Sequence, residues 1–350
     1  MRKLICMILA ILMLLSLTAC RDKRDPDVPV FTYVEEGTTP SKVIRQEDRW
    51  YAITNTYGLA DFCFAVGDSY DTMETVYQSP NGGYLRNLTA EGQWCAFFEK
   101  GTQSLRYALY NAEDGSITDM YLTDEISNQN GSMVFINGCV YFGVIDHENS
   151  SGMLKCYDIA AGTLEDFFPL PYAEIDTVQA LSRDGDDVLV TVKSAEDQRS
   201  QIYRLSTIDR TLRIVELPFA VHTVYSASYD PTLNAYILYY EDGTAHSEDI
   251  GIYRQDEAAL RSVYTFEDGC YAYFDTVECR DGRIYWCLQD NATGSFADKY
   301  DLMVYDCEAE VMTKYPQGIS FTLNEDGFHY LTLASSERPT IELYERPYKK

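Results

Sequence analysis

Few side chains in this chain belong to the types that enzymes use most often. Its 350 residues include four histidines and ten cysteines, and no Cys-x-x-Cys pair occurs. The sequence also lacks a Gly-x-Ser-x-Gly segment and a phosphate-binding glycine loop. We expect each histidine to lie in a different structural repeat, where the four are too far apart to share a metal or a catalytic centre. The histidines are His147, His222, His246 and His329. The sequence therefore predicts no cofactor, no metal centre and no catalytic residue.

Carboxylates are the abundant reactive group. The chain has 55 Asp and Glu against 28 Lys and Arg, which gives a formal charge of -27. This excess of negative charge argues against nucleic acid or an anionic lipid surface as the ligand. A pair of carboxylates of the kind that glycosidases use is compatible with so many acids, although most of them should be solvated surface groups.

The segment 1–19 is predicted to be a signal peptide. Two basic residues precede an apolar run over 4–17, which is shorter than the roughly 20 residues of a membrane-spanning helix. The run ends in LTAC at 17–20, which resembles the lipobox of bacterial lipoproteins. The resemblance implies that the Cys20 thiol accepts a diacylglycerol and that the chain is cut before it. An ordinary secretory peptide cut after Ala19 is the alternative.

Residues 20–29 are predicted to form the lipidated Cys20 and a short solvated tether, because 21–29 are mostly charged residues and prolines. Removal of 1–19 changes the formal charge from -27 to -29. The remaining residues, 30–350, are predicted to form one domain. Together these features predict a lipid-anchored protein of the cell membrane that faces outside the cytoplasm.

Turn signals recur along the chain at a nearly constant interval. Their last residues are at 48, 92, 138, 185, 234, 282 and 327, which are 44 to 49 residues apart. Asn-Gly and Asp-Gly supply the positive φ angles that two-residue hairpin turns require, and segments rich in β-branched and aromatic residues follow each turn. A period near 46 residues with four strands per repeat is typical of a β-propeller blade.

The repeats predict an all-β fold, a seven-bladed β-propeller of four-stranded antiparallel blades. Six outer strands can be counted, and the segment VPVFTYV at 28–34 belongs to no repeat. We expect this segment to complete the last blade and close the ring, since closure removes exposed sheet edges. A pair of β-sandwiches or an open solenoid is the alternative. Over 28–346 the pattern resembles the bacterial propellers with YVTN-type and TolB-type repeats, most of which bind proteins, sugars or small ligands while a minority are enzymes.

Eight cysteines follow Cys20, and in an exported protein they could form disulfides. The interpretation that we favour is that they are small apolar residues on strands, with one or two long-range disulfides as the alternative. The expected hairpin register argues against most local pairs. Cys139 and Cys156, for example, fall on adjacent strands but several residues out of register. The eight are Cys63, Cys95, Cys139, Cys156, Cys270, Cys279, Cys287 and Cys307.

The connections between the second and third strands of four repeats are predicted to be long and polar. They are 146–152, 193–201, 241–250 and 289–301, and they contain eleven acids against three Lys or Arg. Function concentrates on loops that a rigid scaffold holds, so these loops predict a surface for a basic protein, a cation or a sugar. Calcium is a special case, because its ligands are oxygen atoms. A merely solvated acidic surface is the alternative. The candidate ligand-binding residues are Asp146, His147, Glu148, Asp290, Asp298 and Asp301.

Three functions are compatible with these features, and we expect a monomer in each case. The favoured one is a membrane-anchored propeller that serves as a binding module for a ligand or an envelope partner. An accessory subunit of an envelope transport or assembly complex is the second, which the neighbouring genes would reveal. A carbohydrate-active enzyme, either a glycosidase or a lyase, is the third. Such an enzyme would require two facing carboxylates and aromatic side chains that line a funnel.

The lipobox gives the first testable prediction. The wild-type protein should enter the detergent-rich phase when a Triton X-114 extract is warmed, because its acyl chains anchor it. Cys20→Ser removes the acceptor thiol and should release the protein into the aqueous phase or leave the unprocessed precursor. Equal aqueous partitioning of the two forms would contradict the lipid anchor.

Overall fold

Seven four-stranded antiparallel sheets form the fold in a computed structural model of the chain. The residues that the structure describes are 29, 31–34, 38–46, 48–56, 62–69, 72–80, 83–102, 104–124, 131–146, 151–170, 175–291, 299–323, 327–333 and 340–348. The predicted signal peptide and almost all of the predicted tether lie outside them. In the described residues, no helix combines the length and apolarity that crossing a bilayer requires.

Each sheet is one blade, and its first strand lies nearest the axis, because the first strands of successive blades contact each other. The first strands are β2 (Thr38–Gln46), β6 (Tyr84–Glu91), β10 (Met133–Ile136), β14 (Ile175–Asp184), β18 (Val221–Asp230), β22 (Cys270–Arg280) and β26 (Gly318–Leu323). The second strands are β3 (Arg49–Thr56), β7 (Trp94–Lys100), β11 (Cys139–Asp146), β15 (Asp187–Ser194), β19 (Ala235–Asp242), β23 (Arg283–Asp290) and β27 (Gly327–Leu333).

The outer half of each blade consists of its third and fourth strands. The third strands are β4 (Phe62–Gly67), β8 (Leu105–Asn111), β12 (Ser151–Asp158), β16 (Ser200–Ser206), β20 (Ser247–Arg254), β24 (Tyr300–Asp306) and β28 (Thr340–Pro347). The fourth strands are β5 (Glu74–Gln78), β9 (Ile117–Thr123), β13 (Thr163–Leu170), β17 (Leu212–Val215), β21 (Ala259–Thr265), β25 (Val311–Pro316) and, in the seventh blade, β1 (Phe31–Val34). The predicted seven-bladed propeller is confirmed.

Alternating strand directions give the ring two different faces. The hairpins between first and second strands and the turns between third and fourth strands share one face, which we call the hairpin face. The connections between second and third strands, together with the links from one blade to the next, share the opposite face, which we call the loop face. The hairpins are tight as predicted: at Asn137 and Gly138 the φ angles are 52° and 76°, the positive values of a two-residue turn, which Asn and Gly adopt more readily than other residues.

The apolar core lies between blades. Tyr107 of blade 2 is fully buried, and its ring stacks on Phe142 of blade 3 with 4.3 Å between centroids. Its hydroxyl donates a hydrogen bond to the carbonyl oxygen of Gly143 at 2.9 Å. The second strands β7 and β11 are buried along most of their length, whereas the outer strands β5 and β25 are largely exposed. A strand therefore needs apolar residues on both sides when it is a second strand inside the blade, and at fewer positions when it is the outer strand at the rim.

The ring closes within the seventh blade. β1 pairs antiparallel with β28, with Phe31 opposite Leu343 and Val34 opposite Thr340. The prediction that the N-terminal strand completes the last blade is confirmed for 31–34. The direction of this pairing means that the chain enters β1 from the side of the hairpin face and leaves it at the loop face.

Side-chain contacts also hold the last blade against the first. Arg45 Nη1 of β2 lies 3.0 Å from Glu345 Oε1 of β28, and His329 Nε2 lies 2.6 Å from the same oxygen. The Thr322 hydroxyl donates a hydrogen bond to the carbonyl oxygen of Val43. The seam between first and last blades is therefore held by an ion pair and a hydrogen bond in addition to the pairing of β1.

Two truncations test the closure. Deleting 20–27 should leave the melting temperature almost unchanged, because β1 stays intact. Deleting 20–35 removes β1 and exposes the edge of β28, so it should lower the melting temperature by roughly 5 °C or more, or cause aggregation. Both variants lack Cys20 and differ only by the strand and its neighbours, which makes them a matched pair. Indistinguishable melting curves would show that β1 contributes nothing to closure.

Candidate interaction face

The loop face carries all of the sequence-predicted site residues that the structure describes. Two of the four predicted long loops are short turns, at 195–199 and 243–246, because their flanking residues belong to strands. In the first predicted loop, 146 and 151–152 belong to strands, and 147–150 lie outside the described residues. The segments left between second and third strands are 147–150, 195–199, 243–246 and 291–299. Only the last of these four is long. Many polar residues of the other predicted loops belong instead to the ends of strands, where side chains that face solvent are also polar.

The candidate residues are distributed over two blades. Asp146 ends β11 in blade 3, while Asp290 ends β23 and Asp301 lies in β24, both in blade 6. The structure thus brings Asp290 and Asp301 onto neighbouring strands and keeps Asp146 apart from them. His147, Glu148 and Asp298 lie outside the described residues.

The contacts of Asp301 and Asp290 bear on the cation hypothesis. Asp301 Oδ2 lies 2.5 Å from Lys314 Nζ, and its Oδ1 accepts the backbone N–H of Gln317 at 3.3 Å. Burial and then the neighbouring Asp290 carboxylate raise the pKa of the Cys270 thiol. Among the residues that the structure describes, no group of three or more His, Cys, Asp or Glu is placed to hold a metal ion. Calcium at Asp290, Asp298 and Asp301 stays an untested prediction.

Several acids of the loop face hold the backbone of the turns. Asp242 Oδ1 accepts the N–H groups of Thr244 at 2.7 Å and Ala245 at 2.9 Å. Hydrogen bonds from the Thr244 hydroxyl and from these amides lower the pKa of Asp242. Asp197 Oδ1 accepts the N–H of Arg199 at 3.1 Å, and this bond lowers its pKa in the same way. These carboxylates are abundant here partly because Asp favours such turns.

Asp249 is a buried member of the same acidic set. Its side chain accepts hydrogen bonds from the hydroxyls of Ser247 at 2.7 Å, Ser262 at 2.9 Å and Thr265 at 2.5 Å. The residue is 6% exposed. Three hydroxyl donors replace the water that this carboxylate loses, so Asp249 joins β20 to the end of β21.

A second buried carboxylate was not singled out by sequence reasoning. Glu99 at the end of β7 is 5% exposed, and it accepts hydrogen bonds from Tyr77 at 2.7 Å and Ser79 at 2.5 Å. Arg106 Nη1 lies 3.5 Å from Glu99 Oε2. Burial, followed by the hydrogen bond to Glu99, raises the pKa of Tyr77 to about 12. The cluster joins blades 1 and 2 near the loop face.

The histidines are placed differently from the expectation of one per blade. His222 in β18 and His246 in the turn 243–246 both belong to blade 5, so that expectation is wrong. His222 Nδ1 lies 3.2 Å from the hydroxyl of Thr223. His329 in β27 contacts Glu345 near the hairpin face.

Phe219 is the most exposed large apolar side chain in the described residues, at 82%. It lies on the loop face between β17 and β18, in a turn closed by a hydrogen bond from the N–H of Val221 to the carbonyl oxygen of Pro218 at 3.0 Å. The Arg199 guanidinium stacks 5.0 Å from its ring centroid. Arg199 Nη2 also donates to the carbonyl oxygens of Phe219 at 2.8 Å and Val221 at 3.0 Å.

This arrangement places an aromatic ring in water beside a guanidinium group. The turn and the hydrogen bonds from Arg199 hold the backbone at Phe219 and Val221, while the ring of Phe219 contacts Arg199 and is otherwise exposed. Three exposed acids, Glu196, Asp197 and Glu216, are close to Arg199 or Phe219 in the chain. The one sequence signal for this feature is the apolar dipeptide Pro218-Phe219 in a link between strands, and it lies outside the predicted polar loops.

A second exposed aromatic side chain lies on the same face. Tyr84 at the start of β6 is 49% exposed, and its ring packs 5.2 Å from that of Phe62. The Arg86 guanidinium lies 6.0 Å from the Tyr84 ring centroid. The loop face therefore presents two aromatic residues, each with an arginine beside it, on an acidic background.

Comparison with known proteins supports the fold. No protein-family model matches the sequence, and no curated protein matches it either. Among solved structures, the β-propeller domain of the Trilobed protease from Pyrococcus furiosus aligns over 92% of this chain and 97% of its own, with a TM-score of 0.59 and 13% identity. That domain is described as having an open velcro topology, whereas here β1 and β28 close the seventh blade.

Two further solved structures contain a similar propeller as part of a longer chain. TolB from Acinetobacter baumannii aligns over 80% of this chain and 63% of its own, with a TM-score of 0.52 and 12% identity. A prolyl endopeptidase aligns over 91% of this chain and 51% of its own, with a TM-score of 0.57 and 8% identity. The chain thus spans about half to two thirds of these two proteins. At such identities the likeness concerns the fold alone.

Two substitutions separate structural acids from surface acids on this face. Asp249→Asn removes acceptor capacity at a buried carboxylate that three hydroxyl groups contact, and should lower the free energy of unfolding by about 1–3 kcal/mol. Asp197→Asn keeps the turn, because Asn accepts the same backbone hydrogen bond. It should change the free energy of unfolding by less than about 0.5 kcal/mol. Urea denaturation of both variants measures the difference. Equal midpoints would show that Asp249 has no structural role.

Proposed function

We propose that this protein is a lipid-anchored, extracytoplasmic propeller that binds a protein partner through its loop face. The observation that carries the proposal is Phe219, an aromatic ring that is 82% exposed and contacts Arg199 on that face. Phe is enriched in the cores of protein interfaces, and Arg is among the residues that most often contribute strongly to the binding energy there. Because the turn and Arg199 already hold the backbone at this position, a partner would lose little backbone entropy in docking on it.

The lipobox and the direction of β1 together support an orientation for the loop face. The ten residues 21–30 separate Cys20 from β1, and fully extended they span at most about 36 Å. The chain enters β1 from the side of the hairpin face. A tether of this length favours an arrangement with the hairpin face toward the lipid and the loop face directed away from it, where a partner can reach Phe219.

Charge supports a partner with a basic surface. The chain without 1–19 carries a formal charge of -29, and exposed acids lie close in sequence to Phe219 and Arg199. The negative electrostatic potential of such a surface speeds the approach of a positively charged protein. Its effect weakens as the salt concentration rises, because the screening length is already about 8 Å at physiological ionic strength and shortens further. Binding should therefore depend on both the aromatic ring and the salt concentration.

A pair of exposed apolar residues on opposite faces tests this proposal. Ile208 is 75% exposed and lies in the turn 207–211 on the hairpin face. A photoreactive phenylalanine analogue at 219, in cells that naturally make the protein, should cross-link a specific partner, and the analogue at 208 should not. With the captured partner purified, Phe219→Ala should weaken its affinity roughly 10- to 100-fold, and Ile208→Ala should leave the affinity unchanged.

The salt series completes the test. The affinity of wild type for that partner should fall between low and high salt, while Phe219→Ala should lose affinity at every salt concentration. A partner that binds wild type, Phe219→Ala and Ile208→Ala equally would show that the loop face is only a solvated surface. Cross-linking at 208 and not at 219 would place the interface on the hairpin face instead.

A further inference from the structure

Two cysteines of blade 3 lie on the same side of one sheet. In the pairing of β11 with β12, Cys139 is opposite Asp158 and Cys156 is opposite Tyr141. Side chains at 139, 141, 156 and 158 therefore point to one face, and the two cysteines are diagonal neighbours, two residues out of register. The sequence-based expectation that they are several residues apart in register overstated their separation.

The two thiols lie close together against the same core. Cys156 is 4% exposed and belongs to the apolar core between blades 3 and 4, and the half-buried Cys139 packs against the same core. Burial, followed by the neighbouring Cys139 thiol and a hydrogen bond with it, raises the pKa of Cys156 to about 12. Tyr141 lies directly opposite Cys156 in the pairing of β11 with β12. Two thiols in one small space with different exposure form a distinct chemical site.

The backbone can approach the geometry that a disulfide requires. Diagonal neighbours on antiparallel strands have Cα atoms about 7–8 Å apart, and a disulfide joins Cα atoms about 4.4–6.8 Å apart. The gap to be closed is therefore on the order of 1 Å. Cys139 is the first residue of β11 and follows the turn at Gly138, where a Cβ atom would meet nothing within 4 Å. Cys139 thus lies at a strand end beside an exposed turn rather than in the middle of the sheet.

We propose that Cys139 and Cys156 form an intramolecular disulfide when the folded protein meets a small disulfide oxidant such as glutathione disulfide. The more exposed Cys139 attacks as its thiolate, forms a mixed disulfide and releases one glutathione thiolate. The Cys156 thiolate then attacks the Cys139 sulfur and displaces the second glutathione. In total, two protein thiols become one disulfide, and one glutathione disulfide is reduced to two glutathione molecules. In the cell this step rests on the proposed export to an oxidising compartment, but the purified protein tests the chemistry alone.

Other cysteines of the chain have different surroundings and serve as controls. The Cys279 sulfur lies 3.2 Å from the hydroxyl oxygen of Ser228, and burial chiefly raises the pKa of Cys279 to about 12. Cys95 is fully buried, and burial raises its pKa as well. Replacing Cys279 by Ser should leave the reaction between Cys139 and Cys156 intact, because that residue is in blade 6.

The experiment treats the full chain, purified in detergent, with glutathione disulfide, then alkylates the remaining thiols and maps peptides by mass spectrometry. The expected result is one cross-linked peptide pair, Cys139 with Cys156, in wild type and in Cys279→Ser. In Cys156→Ser, Cys139 should retain glutathione as a stable mixed disulfide. In Cys139→Ser, the buried Cys156 should react far more slowly. The closing rate in wild type should rise about tenfold from pH 7 to pH 8, because burial raises the pKa of the attacking Cys156 thiol to about 12 and its thiolate fraction rises tenfold per pH unit below that value.

A second measurement needs no substitution. The oxidised wild-type protein should melt roughly 5 °C above the reduced protein, because the new bond closes a loop between 139 and 156 in the unfolded chain. Both thiols remaining free in folded protein, or mixed disulfides accumulating in wild type without closure, would overturn the proposal. Neither result bears on Phe219, so the disulfide and the proposed function can fail separately.

Discussion

Each blade is a sheet with two apolar faces, and only another blade can cover either of them. This constraint shapes the rest of the molecule. It explains why second strands such as β7 and β11 are buried along most of their length, and why Tyr107 in blade 2 stacks on Phe142 in blade 3. It also makes an open array unstable at its ends, because a terminal blade would leave an apolar face in water.

Closing the ring removes those ends, and the closing blade is held in two ways. Main-chain pairing of β1 with β28 supplies the outer strand, while Arg45 and Glu345 join the first blade to the last across their interface. The acids of the turns contribute in a smaller way, since Asp197 and Asp242 satisfy backbone N–H groups that would otherwise need water. Part of the negative charge of the chain therefore serves local backbone geometry.

The repeat could be predicted from the sequence because its signals are local. Asn137-Gly138 specifies a hairpin turn by itself, and the interval between such turns specifies the blade. The candidate site was less predictable, because its important features depend on what lies beside each residue in space. In the sequence, Phe219 is one apolar residue in a short link between strands. Its contact with Arg199 becomes visible only in the structure. Cys139 and Cys156 required the register of β11 and β12, which shifts by a residue at any bulge or change of turn length.

The seventh blade, which combines β1 with β26, β27 and β28, has a consequence for the order of events during synthesis. Its outermost strand is made first and its other three strands are made last, so the ring cannot be sealed while the polypeptide is still emerging. Until β28 is available, the edge of β1 and one apolar face of the first blade have no native partner. If Cys20 is lipidated, the short tether keeps the nascent protein at the membrane surface in this incomplete state until β28 has been made. Any reporter fused after β28 would then sit beside the anchored end of the protein rather than far from it.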